Sequence, residues 1–238
     1  MARYVDLHVI PQVDNKQSSE RLADLLGQVH YSAIGLTVPT GLLTDRVRSL
    51  QGLFEAHALE TSLRIDLSPT SRDELLRALR RFRNQYDIVA VKCSSQRVSA
   101  VACRDRRVDI VFFNSANHSL RFTHTFARLL HGAIEFNLMS DLTEQPDTWA
   151  FLRIRRAIGV AQEHHVRVVL SSGARNHQMV RSPLQLMALA TSLGLSRECS
   201  ARGVSSEPSS ILATNRAKRS PEFVEEGVKM IIPAGRSR

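Results

Sequence analysis

The 238-residue chain has little of several things. Its three cysteines, Cys93, Cys103 and Cys199, are an odd number with no Cys-x-x-Cys pairing. That pattern reads as free thiols in a reducing, cytoplasmic setting rather than as a disulfide framework. No stretch approaches the roughly 20 apolar residues of a membrane span, so no membrane role is expected. The first twelve residues carry Asp6 and His8 and lack the long apolar block of a secretory leader. No Gly-rich phosphate loop, G-x-S-x-G elbow or H-E-x-x-H pair occurs, so no nucleophile is specified. No linker, repeat or low-complexity tract divides the chain, and one domain over 1–238 is expected, with a frayed tail at 235–238. Aromatics make up only 5% of residues and lysines number four.

Arginine is what the sequence has in quantity: 28 residues, which bring the net charge to +9. Apolar residues reach 43%, too many for a disordered chain and enough for a sizeable core. The charge points to a polyanionic partner, and arginine's planar fork grips phosphate bidentately where lysine does not. A high-GC genome, the bland alternative, would favour arginine codons over lysine, but it would not choose the sign of the surface charge.

Hydrophobic periodicity alternates from end to end between short β-rich runs and amphipathic helices. Strands are expected at Tyr4–Ile10, Ala33–Val38, Thr61–Leu67, Ile88–Lys92, Val108–Phe113, Ala133–Asn137, Arg167–Leu170 and Cys199–Val204. Helices are expected between them, at Ser19–Val29, Thr44–His57, Ser71–Tyr86, Ser95–Cys103, Thr123–Leu130, Asp147 or Thr148 to His165, Leu184–Leu193 and Pro208–Ala217. A terminal β run follows at Val228–Ile232, and Asn114–Ser119 reads as a loop. Ser71 and Glu74 have capping-box spacing, and Ser182-Pro183 is a favoured helix start that ends at Gly194. Eight such units in about 230 residues predict an α/β fold, a TIM-like (β/α)8-type barrel, with an open doubly wound sheet as the alternative.

Alternation places Asp6 and His8 on one face of the first strand. Asp6-Leu7-His8 resembles the start of the Asp-x-His-x-His motif of the polymerase-and-histidinol-phosphatase superfamily of metal-dependent phosphoesterases. Ile10 stands where the second histidine belongs. A catalytic metal centre needs about three protein ligands. Asp6 and His8 are therefore expected to be vestigial metal candidates forming a buried hydrogen-bonded pair, with no metal held. The other histidines do not complete a set: His30, His57 and His131 close helices, and His164-His165 lie at another helix end.

Arginines fall into two groups. Arg77, Arg80, Arg81 and Arg83, with Arg153, Arg155 and Arg156, lie on outer helices and read as solvated faces. Lys92, Arg97, Arg107, Arg121, Arg175 and Arg181 are assigned to loops converging on one rim, as a phosphate-backbone surface. Six to ten neutralised phosphates would weaken binding roughly 10³–10⁵-fold between 50 and 200 mM salt.

The run Val168-Val-Leu-Ser-Ser-Gly-Ala174, then Arg181-Ser-Pro-Leu-Gln-Leu186, Ala188-Leu-Ala190 and Leu193-Gly-Leu195, closely resembles the ribonuclease P protein component 3 family of archaea and eukaryotes. Tyr4-Val-Asp-Leu-His8, Tyr31-Ser-Ala-Ile-Gly35, Ala133-Ile-Glu-Phe136, Val204-Ser-Ser, Pro208, Ile211-Leu212, Asn215 and Glu226-Gly-Val228 extend the pattern over nearly the whole chain. The resemblance implies a TIM-like barrel related to those phosphoesterases. It implies a protein subunit of the ribonucleoprotein that removes the 5′ leader from precursor tRNA. It further implies that the RNA subunit carries the chemistry with Mg²⁺, so this chain itself needs no cofactor. The implied partners are the ribonuclease P RNA, precursor tRNA, a small ferredoxin-like protein subunit and the other ribonuclease P proteins. Read without the resemblance, a stand-alone metallo-phosphoesterase and a protein-binding scaffold remain the rival readings.

Overall fold

The computed structural model describes residues 3–41, 44–113, 120–138, 148–220, 223–225 and 228–229. Asn114–Ser119, Asp147, residues 230–232 and the 235–238 tail, all singled out from the sequence, lie outside these.

Seven parallel strands form one sheet in sequence order. They are β1 (Tyr4–Val9), β2 (Tyr31–Thr37), β3 (Glu60–Leu67), β4 (Ile88–Cys93), β5 (Ile110–Phe113), β6 (Ala133–Asn137) and β7 (Val168–Ser171). The crossovers are α1 (Lys16–Gln28), α2 (Thr44–Glu55), α3 (Arg72–Phe82), α4 (Gln96–Arg104), α5 (His124–Leu129) and α6 (Thr148–Glu163). After β7 come a 3₁₀ turn at His177–Met179, α7 (Pro183–Ser192), α8 (Arg197–Gly203) and α9 (Ser206–Arg219). A two-stranded antiparallel ribbon, β8 (Phe223–Glu225) with β9 (Val228–Lys229), stands apart from the sheet.

The helix starts follow their capping chemistry. Ser182 and Gln185 form a full reciprocal box at α7, with Pro183 at the first helical position. Gly194, at φ +106°, turns the chain out of that helix. At α3 only half of the expected box forms. Ser71 Oγ accepts from the Glu74 amide, but the Glu74 carboxylate accepts from the Thr70 amide and hydroxyl instead.

The expected eighth strand, Cys199–Val204, is α8. Ser196 caps it by accepting from the Cys199 amide, and Glu198 and Arg202 pair across one turn. Over Cys199–Val204 the alternation is short and weak, with only Cys199 and Ala201 apolar before Gly203, and the Ser196 cap and the Glu198–Arg202 pair favour a helix. What the missing strand would have supplied to β1 shrinks to one carbonyl: the Val5 amide donates to Val204 O at 2.9 Å. The two sheet edges meet directly higher up, where Val9 pairs with Ala174 and the Ile10 amide donates to Ala174 O at 2.8 Å. The barrel is thus closed on seven strands with a short seam.

Apolar side chains pack in two layers. Outward-facing Ile34, Leu36, Ile65, Val89, Val91, Ile134 and Leu170 meet the helices. Inward-facing Val5, Leu7, Ala33, Ile88, Ala90, Ile110, Ala133 and Val169 fill the lower barrel, and Ile211 and Leu212 of α9 plug its N-terminal end. Asn215 of the same helix donates to the Asp87 carbonyl at 2.9 Å. The upper barrel is filled differently, by charge.

Candidate nucleic-acid interface and the barrel mouth

Inward positions of β3 read Ser62, Arg64 and Asp66, each separated by an outward apolar residue. Arg64 is wholly buried. Its Nη1 and Nη2 donate to the two carboxylate oxygens of Glu135 on β6, both at 2.6 Å. Its Nε donates to Asp66 Oδ1 at 2.7 Å, and Nη1 also reaches the Leu7 carbonyl at 3.0 Å. The Phe112 ring lies 5.8 Å from the guanidinium carbon, within cation–π range. Ser171 Oγ on β7 donates to Glu135 at 2.8 Å.

That Leu7 carbonyl can turn inward because β1 is irregular in register between Asp6 and Val9. Gly35 on the neighbouring strand makes room for it: a Cβ there would sit 2.4 Å from Leu7 O.

The same irregularity separates Asp6 from His8. His8 enters the charged cluster, with Nδ1 3.2 Å from Glu135 and Nε2 3.1 Å from Asp66. The attraction between His8 and Asp66 is chiefly that of opposite charges. Asp6 turns to the seam, where the Ser172 amide (3.2 Å) and the Ser172 hydroxyl donate to its Oδ2. The His8 backbone amide donates to its Oδ1 at 3.0 Å. The expected Asp–His side-chain pair is therefore replaced by two separate roles. Asp6 closes the barrel, and His8 joins the ion-pair network.

The electrostatics follow from this arrangement. Burial and the Arg64 charge push His8 toward its neutral form, but Asp66 and Glu135 outweigh them and its pKa rises to about 9. Burial alone would raise the Glu135 carboxyl; Arg64 and then His8 hold it far below the usual carboxylate range. Asp66 is lowered by the same two cations against its own burial. Burial raises the Asp6 carboxyl despite its bonds from Ser172 and His8. At neutral pH, Arg64, His8, Asp66 and Glu135 make two fixed cations facing two fixed anions.

This mouth does not fit a metal centre. Both Glu135 oxygens and one Asp66 oxygen are committed to Arg64, and both Asp6 oxygens to Ser172 and His8. A guanidinium stands among the donors that a divalent ion would need. Sequence reading missed Arg64, Asp66 and Glu135. The available signal was charged residues at inward-alternating positions of β3 and β6, within runs already recognised as strands.

The six cations assigned to one rim divide. Arg97 is exposed in the first turn of α4, after β4, and Lys92 is half-buried at the C-terminal end of β4. Arg121 is exposed on the β5–α5 connection, and Arg175 is exposed beside the Val9–Ala174 closure. These four share the C-terminal end of the barrel. Arg107 does not. It lies on the connection from α4 into β5, at the N-terminal end, with its guanidinium clamped on Asp105 at 2.6 and 2.9 Å. Arg181 is folded onto its own connection, donating to the Gln178 and Val180 carbonyls, while Tyr31 Oη donates to its carbonyl. The basic run around Arg107 hid the turn to the other end, because charge spacing carries no information on which end of a strand a loop joins.

Of the helix arginines, Arg77, Arg80, Arg81, Arg155 and Arg156 are exposed as expected, and Arg83 is drawn into a pair with Asp109. Arg121, Arg153 and Arg156 also line a cavity of about 450 Å³ beneath α5 and α6. Among the described residues no helix is long and apolar enough to cross a membrane.

A family model described as RNase P subunit p30 matches residues 3–220. "Ribonuclease P protein component 3" of Methanosarcina acetivorans is 24% identical over 242 residues, covering 94% of this chain and 93% of that protein. The protein of the same name from Methanosarcina barkeri is 25% identical over 233 residues with the same coverages. Among solved structures, a chain from the cryo-EM structure of archaeal ribonuclease P with mature tRNA superposes with a TM-score of 0.82. It is 19% identical and covers 98% of this chain and 100% of that one.

Proposed function

The chain belongs to the ribonuclease P subunit p30 family, and from that premise we propose that it binds the RNA subunit and precursor tRNA through the C-terminal rim of its barrel. It is a protein subunit of the ribonucleoprotein that removes the 5′ leader of precursor tRNA. The chemistry is assigned to the RNA subunit with Mg²⁺, and the protein's part is to bind and organise that RNA. The observation that carries this division of labour is the position of Arg64. It fills the barrel mouth with a permanent guanidinium and commits the carboxylates around it, while Arg97, Arg121 and Arg175 stand exposed at the same end. A small ferredoxin-like protein subunit and the other ribonuclease P proteins complete the proposed set of partners, in the cytoplasm.

The rim sets the expected salt dependence. Three exposed arginines, or four cations with Lys92, neutralise three to four phosphates. At a slope of about 0.9 per phosphate, affinity falls roughly 40- to 150-fold between 50 and 200 mM salt. The test is capture of the tagged chain, identification of the co-purifying RNA, and binding of that RNA across this salt range. One structured RNA with precursor-tRNA processing activity is expected. Salt-insensitive binding, or no enriched RNA, would overturn the proposal.

A further inference from the structure

His124 opens α5, and Glu163 and His164 close α6, 40 residues later in the chain. The fold brings the three together on the outer surface. His124 Nδ1 lies 3.0 Å from His164 Nε2 and 3.6 Å from Glu163 Oε1. All three ligand atoms lie within 4.8 Å of one another. We propose that His124, Glu163 and His164 form a binding site for a divalent first-row transition ion of the zinc type, clipping the start of α5 to the end of α6.

The spacing carries the argument. Zinc bonds of about 2.0–2.2 Å in tetrahedral geometry place ligand atoms roughly 3.3–3.5 Å apart. The observed 3.0 and 3.6 Å bracket that edge, so small rotations of the exposed His124 and Glu163 side chains toward the half-buried His164 seat an ion. One proton between the two imidazole nitrogens satisfies the histidines but leaves the carboxylate converging on the same nitrogen; an ion satisfies all three. Two imidazoles and one carboxylate are a donor set suited to zinc rather than to magnesium or calcium, which prefer all-oxygen sites. Three protein ligands leave a fourth position for water. His124 and Glu163 also form part of the wall of the cavity that Arg121 and Arg156 line. A bound ion adds positive charge on that wall.

The site stands apart from the barrel mouth and does not depend on the RNA-binding proposal. The experiment uses the full chain, freed of RNA and stripped with chelator, titrated with Co²⁺ and then competed with Zn²⁺. The expected result is one saturable equivalent with the visible absorption of four-coordinate cobalt, displaced by zinc. Zinc should raise the melting temperature of the wild type. His124→Ala and His164→Ala should each abolish the cobalt band and the thermal shift, and Glu163→Gln should weaken binding at least about tenfold. Cys199→Ser, altering the one half-exposed thiol, should bind as the wild type does. Absence of saturable binding, or full stoichiometry retained in the His124→Ala/His164→Ala double variant, would overturn the site.

Discussion

Replacing Glu135 by glutamine changes almost no volume and removes one buried charge. In the folded chain that carboxylate accepts two 2.6 Å bonds from Arg64 and one 2.8 Å bond from Ser171, and it lies 3.2 Å from His8. The variant leaves Arg64 and His8, both wholly inside the barrel, facing Asp66 alone. Breaking a buried pair by neutralising one partner costs about 3–5 kcal/mol, because the remaining charge keeps its desolvation penalty. For a domain of this size each kcal/mol moves the melting temperature by roughly 2–4 °C, so a fall of roughly 6–20 °C is expected. Urea unfolding followed by far-ultraviolet circular dichroism measures the free energy directly.

Should the single variant fail to fold, the double variant Arg64→Met/Glu135→Leu keeps the reasoning testable. It removes both charges together, and well-packed apolar replacements of buried pairs are often neutral or stabilising. Here Asp66 loses its Arg64 bond and retains only His8, so some cost remains. The double variant should nonetheless be more stable than either single one. A Glu135→Gln cost below about 1 kcal/mol, or single effects that simply add in the double variant, would refute the network as a coupled unit.

Two other expectations concern pH and the rim. His8 has its pKa raised from 6.5 to about 9 in the folded state, so the stability it contributes is complete below pH 6.5 and lost as pH rises through 9. At 1.36 kcal/mol per unit this amounts to roughly 3 kcal/mol, and His8→Gln should flatten the decline in melting temperature over that window; an unchanged profile in the variant would remove His8 as its source. Arg97→Ala/Arg175→Ala should lower affinity for the RNA subunit about fivefold or more at 150 mM salt and reduce the salt slope by about two, whereas Arg107→Ala, at the opposite end, should leave both unchanged. Equal effects from the two variants would mean that the C-terminal rim is not the binding face.

The repeating architecture was legible because each unit signals locally. The continuous apolar run Ile88–Val91 and the Ser182/Gln185 box around Pro183 need nothing from elsewhere in the chain to be read. The Cys199–Val204 segment failed for the converse reason. The expectation of a strand there, which brought the count to eight units, rested on a short stretch around Cys199 and Ala201, while the neighbouring residues carry the Ser196 cap and the Glu198–Arg202 pair of a short helix. The mouth was hidden by distance in sequence: Arg64 meets Glu135 across 71 residues and Leu7 across 57. Read alone, β3 offers Arg64 and Asp66 at inward positions and β6 offers Glu135, and the partner across the barrel is not visible until the barrel closes. His164 likewise reads as a helix end, and His124 carries no signal of its own, until α5 and α6 lie side by side.

The charged mouth also explains why Asp6 and His8 mislead when taken as a pair. Glu135, wholly buried, and Asp66, half-buried, bring two negative charges into the barrel mouth, and such charges require cations within contact distance. A metal enzyme meets that requirement with an exchangeable ion that keeps a position open for water. This chain meets it with Arg64 from its own third strand and with His8, whose pKa near 9 keeps it charged at neutral pH. A guanidinium offers only donors and cannot accept a lone pair, so it balances the carboxylates without binding or activating water. Asp6 is then released from any ligand role and, through Ser172, closes the seam beside which Cys199–Val204 is helical rather than a strand. The residues that look like the remnant of a metal site are thereby needed for the barrel to stay shut and electrically neutral. Asp6→Ala and Glu135→Gln are therefore expected to act first on stability.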